Sequence, residues 1–184
     1  MKQGLRKKAK ETRKTLDCIR ASEKICSQIN NWEHFYSANN IMIYHPINNE
    51  INLLKLVKNN DKNFFLPVIK NNEIKVVYFD NKSLLINGLY DIKEPIGDEL
   101  TDYSILDIIF VPALAANIDG YRIGYGKGYY DRFLNHISPV TKKVIPIYNE
   151  LIFENIYPET HDQKVDYLIT PDRIISALHV NLNR

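Results

Sequence analysis

Cysteine, methionine, tryptophan and glycine are all scarce in this chain: two, two, one and seven in 184 residues. With only Cys18 and Cys26, a disulfide framework and a cysteine-rich metal site are both excluded. Eight residues apart on one helix, the two thiols are too distant to bridge, and they match no zinc-ligand spacing. They read as reduced thiols of a cytoplasmic protein. Long apolar runs are also missing. No stretch approaches the roughly 18 residues of a membrane span, and the first residues lack the apolar core of a secretion signal. An excess of one charge sign is absent too, because a formal net charge of +2 is too small to imply a nucleic-acid partner. These absences predict a soluble, cytoplasmic protein bound to neither membrane nor nucleic acid; a monomer is expected, although the sequence itself does not show oligomeric state.

What remains is ordinary globular material, 45 % hydrophobic and 25 % charged, enough for one substantial core and short for two. No repeat or long linker divides it, so residues 1–184 are expected to form a single domain. "MKQGLRKKAKETRK" gathers cations at the start, as a solvated helix face or something more specific. Leu5, Ala9, Thr12, Leu16 and Ile19 predict one apolar stripe on a long helix, continuing or restarting through Ile25, Ile29 and Trp32. "NIMIYHP" reads as a buried strand stopped by Pro46. Glu50 is expected to begin a helix carrying Leu53, Leu54 and Val57. "NFFLPVI" and "IKVVYFD" are strands separated by the Asn71-Asn72 turn. Residues 81–99 read as loop, and "ILDIIFVPALAA" as the most apolar strand. A helix to about Ile137, the strand "KKVIPIY", a short helix "ELIFENIY", a polar loop and a last strand "VDYLIT" complete the pattern. Alternating strands and helices predict an α/β fold, with a mostly parallel or mixed sheet covered by helices on both faces.

Four of the seven glycines fall in "GYRIGYGKGYYDRFL", Gly120 to Leu134, directly after the most apolar strand. Ligands gather at the carboxyl ends of such strands. Gly124, Gly126 and Gly128 let backbone N–H groups approach a ligand closely, and a helix start near Gly128 adds unpaired donors. Arg122 and Lys127 supply a fork-shaped and a point-like cation for phosphate oxygens. Asp131 falls where a carboxylate could hold Mg²⁺. The pattern is neither the Walker loop nor the dinucleotide fingerprint. The bland alternative is a glycine-rich turn with tyrosines packed at the edge of the core.

At these residues the chain resembles the 5-formyltetrahydrofolate cyclo-ligase family. The family's long central motif stands here as "PALAANIDGYRIGYGKGYYDRFL", Pro112 to Leu134. Lys2, Leu5 and Arg6 match its N-terminal segment, "IMIYHPINNEI" with Glu50 its strand-then-Glu segment, and His161, Asp162, Val165, Asp166 and Thr170 its closing segment. Ala113, Ala116 and Asn117 replace the usual Gly, Phe and Asp, and Leu53 stands where a Thr usually follows the Glu.

The resemblance implies a fold of the NagB/RpiA/CoA-transferase kind. It also implies closure of 5-formyltetrahydrofolate to 5,10-methenyltetrahydrofolate, with ATP as co-substrate and Mg²⁺. Lys2, Arg6, Arg122, Gly124, Gly126, Lys127, Gly128 and Tyr130 would bind ATP, and Asp131 and Asp166 the Mg²⁺. His45, Glu50, Tyr125 and Tyr129 would bind the reduced folate, Glu50 by accepting adjacent N–H groups of the pterin. Arg122, Lys127 and Tyr129 would carry the chemistry. His161-Asp162 could shuttle protons or order its loop, and the loop-ordering role suits a reaction that needs no strong base. His34, His136 and His179 read as surface or core residues. Two other readings share these features. One is a non-catalytic nucleotide- or RNA-binding module using the basic helix and the tyrosines. The other is a phosphotransferase with another acceptor, which would not need Glu50.

Overall fold

Ile41, Met42 and Ile43 are buried in succession, as are Ile108, Ile109, Phe110 and Val111. Neighbours along a strand point to opposite faces, so both faces of these strands are covered. The computed structural model describes residues 1–58 and 61–177, and His179 lies outside them. Three helices come first, α1 (Lys2–Lys14), α2 (Cys18–Asn30) and α3 (Glu33–Ser37). Then follow β1 (Asn40–Met42), α4 (Leu54–Lys58), β2 (Asn63–Lys70), β3 (Glu73–Phe79), β4 (Leu85–Asn87), β5 (Lys93–Pro95) and β6 (Ile108–Phe110). The chain continues through β7 (Ala115–Ala116), β8 (Arg122–Ile123), α5 (Tyr129–Leu134), β9 (Lys142–Pro146), β10 (Tyr167–Ile169) and β11 (Ile174–Ser176).

Seven strands form one mixed sheet in the order β11-β10-β9-β6-β1-β2-β3. Its five inner strands are parallel, and β3 and β11 close the two edges antiparallel. The first strand of the parallel set, β1, lies between β2 and β6. Connections therefore leave β1 in two directions, and a crevice opens beyond the carboxyl ends of β1 and β6, where doubly wound sheets bind ligands. The β2–β3 hairpin turns at Asn71 and Asn72, both with positive φ, a conformation that asparagine tolerates well.

Several local expectations need correction. The N-terminal helix restarts, one of its two expected courses, but its apolar stripe does not extend to Ile19. Asp17 caps α2 by accepting from the Arg20 N–H at 3.0 Å, and the change of phase leaves Ile19 74 % exposed. Trp32 lies beyond α2 and packs edge-on against His34 and Tyr167. Glu50 does not begin a helix. It closes a turn through Asn48 and Asn49, both at positive φ, and α4 starts later because Asn52 Oδ1 caps the Leu54 N–H at 2.9 Å. The expected loop over 81–99 contains the β4–β5 hairpin. "ELIFENIY" forms only a 3₁₀ turn, Asn149–Leu151, and Leu151 and Ile156 reach the core from irregular backbone.

Candidate active site

The crevice beyond β1 and β6 is a cavity of about 720 Å³. The segment after β1 supplies Tyr44, His45 and Glu50, α1 supplies Lys2, Arg6 and Lys10, and the glycine loop supplies Arg122 through Asp131. Every expected site residue except Asp166 lines it.

One end is cationic and built of bare backbone. Arg6 Nε donates to the Gly124 carbonyl at 3.0 Å, and a Cβ on Gly126 would come within 3.4 Å of its guanidinium carbon. Gly126 has φ +96°, which glycine alone adopts without strain. At Gly124 a Cβ would meet nothing within 4 Å. No protein neighbour therefore demands glycine there, and the open space suits a ligand lying on the loop. Lys2 Nζ reaches Asp162 Oδ2 at 2.6 Å and Glu159 Oε1 at 2.9 Å. Burial works to lower the Lys2 pKa, but the two carboxylates outweigh it and raise it. Asp162 Oδ2 also accepts from the Glu159 N–H at 2.7 Å, which gives Asp162 the loop-ordering contacts. His161 stays exposed. Lys127 is exposed as well, its ammonium 5.7 Å from the Tyr90 ring centroid.

The other end holds a buried carboxylate. Glu50 is 5 % exposed. Its Oε1 accepts from the Tyr125 hydroxyl at 2.8 Å and its Oε2 from the Ile47 N–H at 3.0 Å. Burial pushes its pKa up, against the Ile47 N–H, the Tyr125 hydroxyl and the charge of Arg13. A carboxylate offers about four acceptor positions, so these two bonds leave one on each oxygen for a pair of incoming donors. Burial likewise raises Tyr125 and Tyr130 and lowers His45. Among the described residues, Arg13 Nε, His45 Nδ1 and the Tyr130 hydroxyl are buried side-chain polar atoms without a partner. Two of the three belong to cavity-lining residues, and buried polar groups in a cleft normally find partners.

Asp131 also lines the cavity, with Oδ1 taken by Arg122 Nη2 at 2.6 Å and the Gln163 N–H at 3.2 Å. Mg²⁺ is commonly held by one or two carboxylates together with substrate phosphates, so the second oxygen of the cavity-lining Asp131 fits that role. Asp166 does not join it. Its Oδ2 accepts from the Lys143 N–H at 2.8 Å at the amino ends of β9 and β10, the edge opposite the crevice. No cluster of three or more potential metal-ligating side chains forms among the described residues.

Arg13, Tyr44 and Glu94 escaped the sequence reading. Glu94 is buried on the cavity wall, accepting from the Ile69 N–H at 3.0 Å. Arg13 had a legible signal: with Lys2, Arg6 and Ala9 it steps along one helix face at intervals of four, three and four. The departures from the family motif lie off the cavity. Leu53 is core, Ala113 and Ala116 are buried, and Asn117 orders the β7–β8 turn by accepting from the Tyr121 N–H at 3.0 Å.

Residues 1–171 match the 5-formyltetrahydrofolate cyclo-ligase family. The 5-formyltetrahydrofolate cyclo-ligase of Mycolicibacterium smegmatis is 33 % identical over 96 residues, 51 % of this chain and only 50 % of that protein. That of Mus musculus is 26 % identical over 192 residues, 93 % of this chain and 94 % of the relative. The solution structure of Aquifex aeolicus 5,10-methenyltetrahydrofolate synthetase superposes with a TM-score of 0.85 at 30 % identity, covering 100 % of this chain and 99 % of that one. A 5,10-methenyltetrahydrofolate synthetase from Mycoplasma pneumoniae shares the fold, with a TM-score of 0.71 at 23 % identity over 92 % and 98 % of the two chains. This chain belongs to the 5-formyltetrahydrofolate cyclo-ligase family.

Proposed function

We propose that the chain, working in the reducing cytoplasm, closes 5-formyltetrahydrofolate to 5,10-methenyltetrahydrofolate while ATP becomes ADP and phosphate. The observation that carries this reading is the pairing within one cavity of the half-satisfied Glu50 carboxylate with a glycine-and-cation cradle. A formamide carbon is a poor electrophile, and its oxygen cannot depart as oxide. Transfer of the γ-phosphoryl group to that oxygen makes it a phosphate leaving group. N10 then attacks the formyl carbon, its proton is lost, and the C–O bond breaks to release phosphate.

Glu50 receives paired N–H donors of the pterin, with His45 and Tyr125 beside it and Tyr129 nearer the loop. Lys2, Arg6 and Lys127 take the phosphate oxygens over the bare backbone of Gly124, Gly126 and Gly128. Asp131 holds Mg²⁺, which when bound offsets phosphate charge. Arg122 aims the Asp131 carboxylate. The protein's contribution is alignment of the formyl oxygen with the γ-phosphorus and neutralisation of charge, and it needs no strong general base. A mixture of protein, ATP, Mg²⁺ and 5-formyltetrahydrofolate is expected to develop methenyl absorbance, with none when any component is omitted. ATP hydrolysis that ignores the folate would contradict the reading.

A further inference from the structure

Arg13 sits in the last turn of α1, only 3 % exposed. Its Nη1 donates to the Tyr125 hydroxyl at 3.1 Å and lies 3.7 Å from Glu50 Oε1. Its Nη2 donates to the Ala113 carbonyl. A phenol has one proton. The Tyr125 oxygen accepts from Arg13, so its proton turns toward Glu50 Oε1, 2.8 Å away. The backbone fixes the same arrangement from the other side. Asn49 Nδ2 donates to the carbonyls of Arg13 and Leu16 at 2.8 and 3.0 Å, and the Tyr148 hydroxyl donates to the Asn49 carbonyl at 2.8 Å. The turn bearing Glu50 is therefore fastened to the carboxyl end of α1.

We infer that Arg13 is the positioning residue of the cavity's carboxylate end: it orients the Tyr125 hydroxyl and the Glu50 carboxylate so that one acceptor position on each Glu50 oxygen is presented to paired N–H donors of the substrate ring. The inference rests on the folate reading of that end. Its consequence is that α1 serves both ends of the cavity, with Lys2 and Arg6 at the cradle and Arg13 at Glu50. The groups facing Glu50 are Arg13 from α1, Tyr125 from the glycine loop, Tyr44 after β1 and Tyr130 from α5, with the Cys18 thiol of α2 bonded to its backbone carbonyl at 3.0 Å. Arg13 is the cation in this set. Removing it leaves a buried carboxylate with less to favour ionisation, and binding that requires the ionised form is then lost at a higher pH as the solution is acidified.

The test compares the parent protein with Arg13→Gln and Arg13→Lys by calorimetric titration with 5-formyltetrahydrofolate and, separately, with Mg-ATP. Arg13→Gln is expected to weaken folate binding about tenfold or more and to change ATP binding by less than about twofold. Its folate affinity should fall away at a higher pH than the parent's, and Arg13→Lys should recover part of the loss. Equal losses for both ligands, or an unshifted pH profile, would overturn the positioning role. A carbon-13 titration of the Glu50 side-chain carboxyl, assigned with Glu50→Gln, reads the inference without any ligand. Its midpoint should move upward in Arg13→Gln, and an unmoved midpoint would overturn the inference. If the parent fails to bind 5-formyltetrahydrofolate while the carboxyl midpoint does move, the folate reading falls and the Arg13–Glu50 pairing stands.

Discussion

Arg122 Nη2 lies 2.6 Å from Asp131 Oδ1, while Nη1 of the same guanidinium donates to the Gln163 carbonyl at 2.7 Å. Arg122 is buried, and both terminal nitrogens are engaged by protein, so it acts as a brace between the helix after the glycine loop and the 159–163 segment. Burial pulls its pKa down and Asp131 pushes it back up. Arg122→Ala is expected to cost about 3 kcal/mol in urea unfolding, because it leaves Asp131 facing a vacated, largely buried site. Unchanged stability with a raised ATP KM would make Arg122 a direct phosphate ligand instead.

Lys127 is the opposite case. It is exposed, and among the described residues its ammonium makes only a long contact with the Tyr90 ring. Lys127→Ala should leave the thermal midpoint in place and reduce turnover about tenfold or more, about 1.4 kcal/mol of transition-state stabilisation. Unaltered kcat and ATP KM would move the phosphates elsewhere.

The two aspartates expected at the metal should now behave differently. Asp131→Asn is expected to raise the Mg²⁺ concentration needed for half-maximal rate, because an amide is a weaker ligand than a carboxylate. Asp166→Asn should leave that concentration unchanged and lower stability, since Asp166 holds the Lys143 N–H. Overlaid Mg²⁺ titrations for parent and Asp131→Asn would reduce Asp131 to the partner of Arg122.

Much of this arrangement could be read from the chain, and the exceptions have physical causes. Consecutive apolar residues marked β1, β2, β3, β6 and β9, because strands covered on both faces cannot hide their composition. The glycine loop was visible because close backbone approach restricts residue type. Asp166 misled because a strand start shows where a residue lies in the chain but not at which edge of a parallel sheet. Glu50 lines the cavity from a turn rather than a helix, since the Asn48-Asn49 turn and the Asn52 cap depend on local backbone conformation. Arg13 was obscured by the cations around it: burial separates it from Lys7, Lys8 and Lys14, and burial is set by what the helix packs against.

The Lys2–Asp162 contact gives a pH dependence with a definite sign. Burial alone would raise the Asp162 pKa, but Lys2 and the Glu159 N–H hold it below its ordinary value. A depressed carboxyl contributes stability above its unfolded pKa and loses it as pH falls through the folded value. Lys2 is raised, so its share persists until pH rises past the usual lysine range. Asp162→Asn should therefore lower stability near neutrality by about 1 kcal/mol, since both side chains of this hydrogen-bonded pair are largely buried. The difference should vanish in acid. A constant difference across pH would point to packing.

If α1 clamps the nucleotide, Lys2→Ala/Arg6→Ala should retain the ligand-free fold, apart from the small Lys2 contribution, yet lose most of the midpoint gain on adding Mg-ATP. The parent's gain should approach about 2.7 kcal/mol at ligand about one hundredfold above Kd. Equal gains in the two proteins would return both cations to the solvent.

The proposed reaction expels the formyl oxygen as phosphate. With 5-formyltetrahydrofolate carrying oxygen-18 in its formyl group, single-turnover reaction with unlabelled ATP in ordinary water is expected to place the heavy oxygen in the released inorganic phosphate, one atom for each methenyl product formed. Mass spectrometry of that phosphate reads the result directly. Heavy oxygen found in water, with the phosphate unlabelled, would show that ring closure proceeds without phosphoryl transfer to the formyl group and would contradict the account.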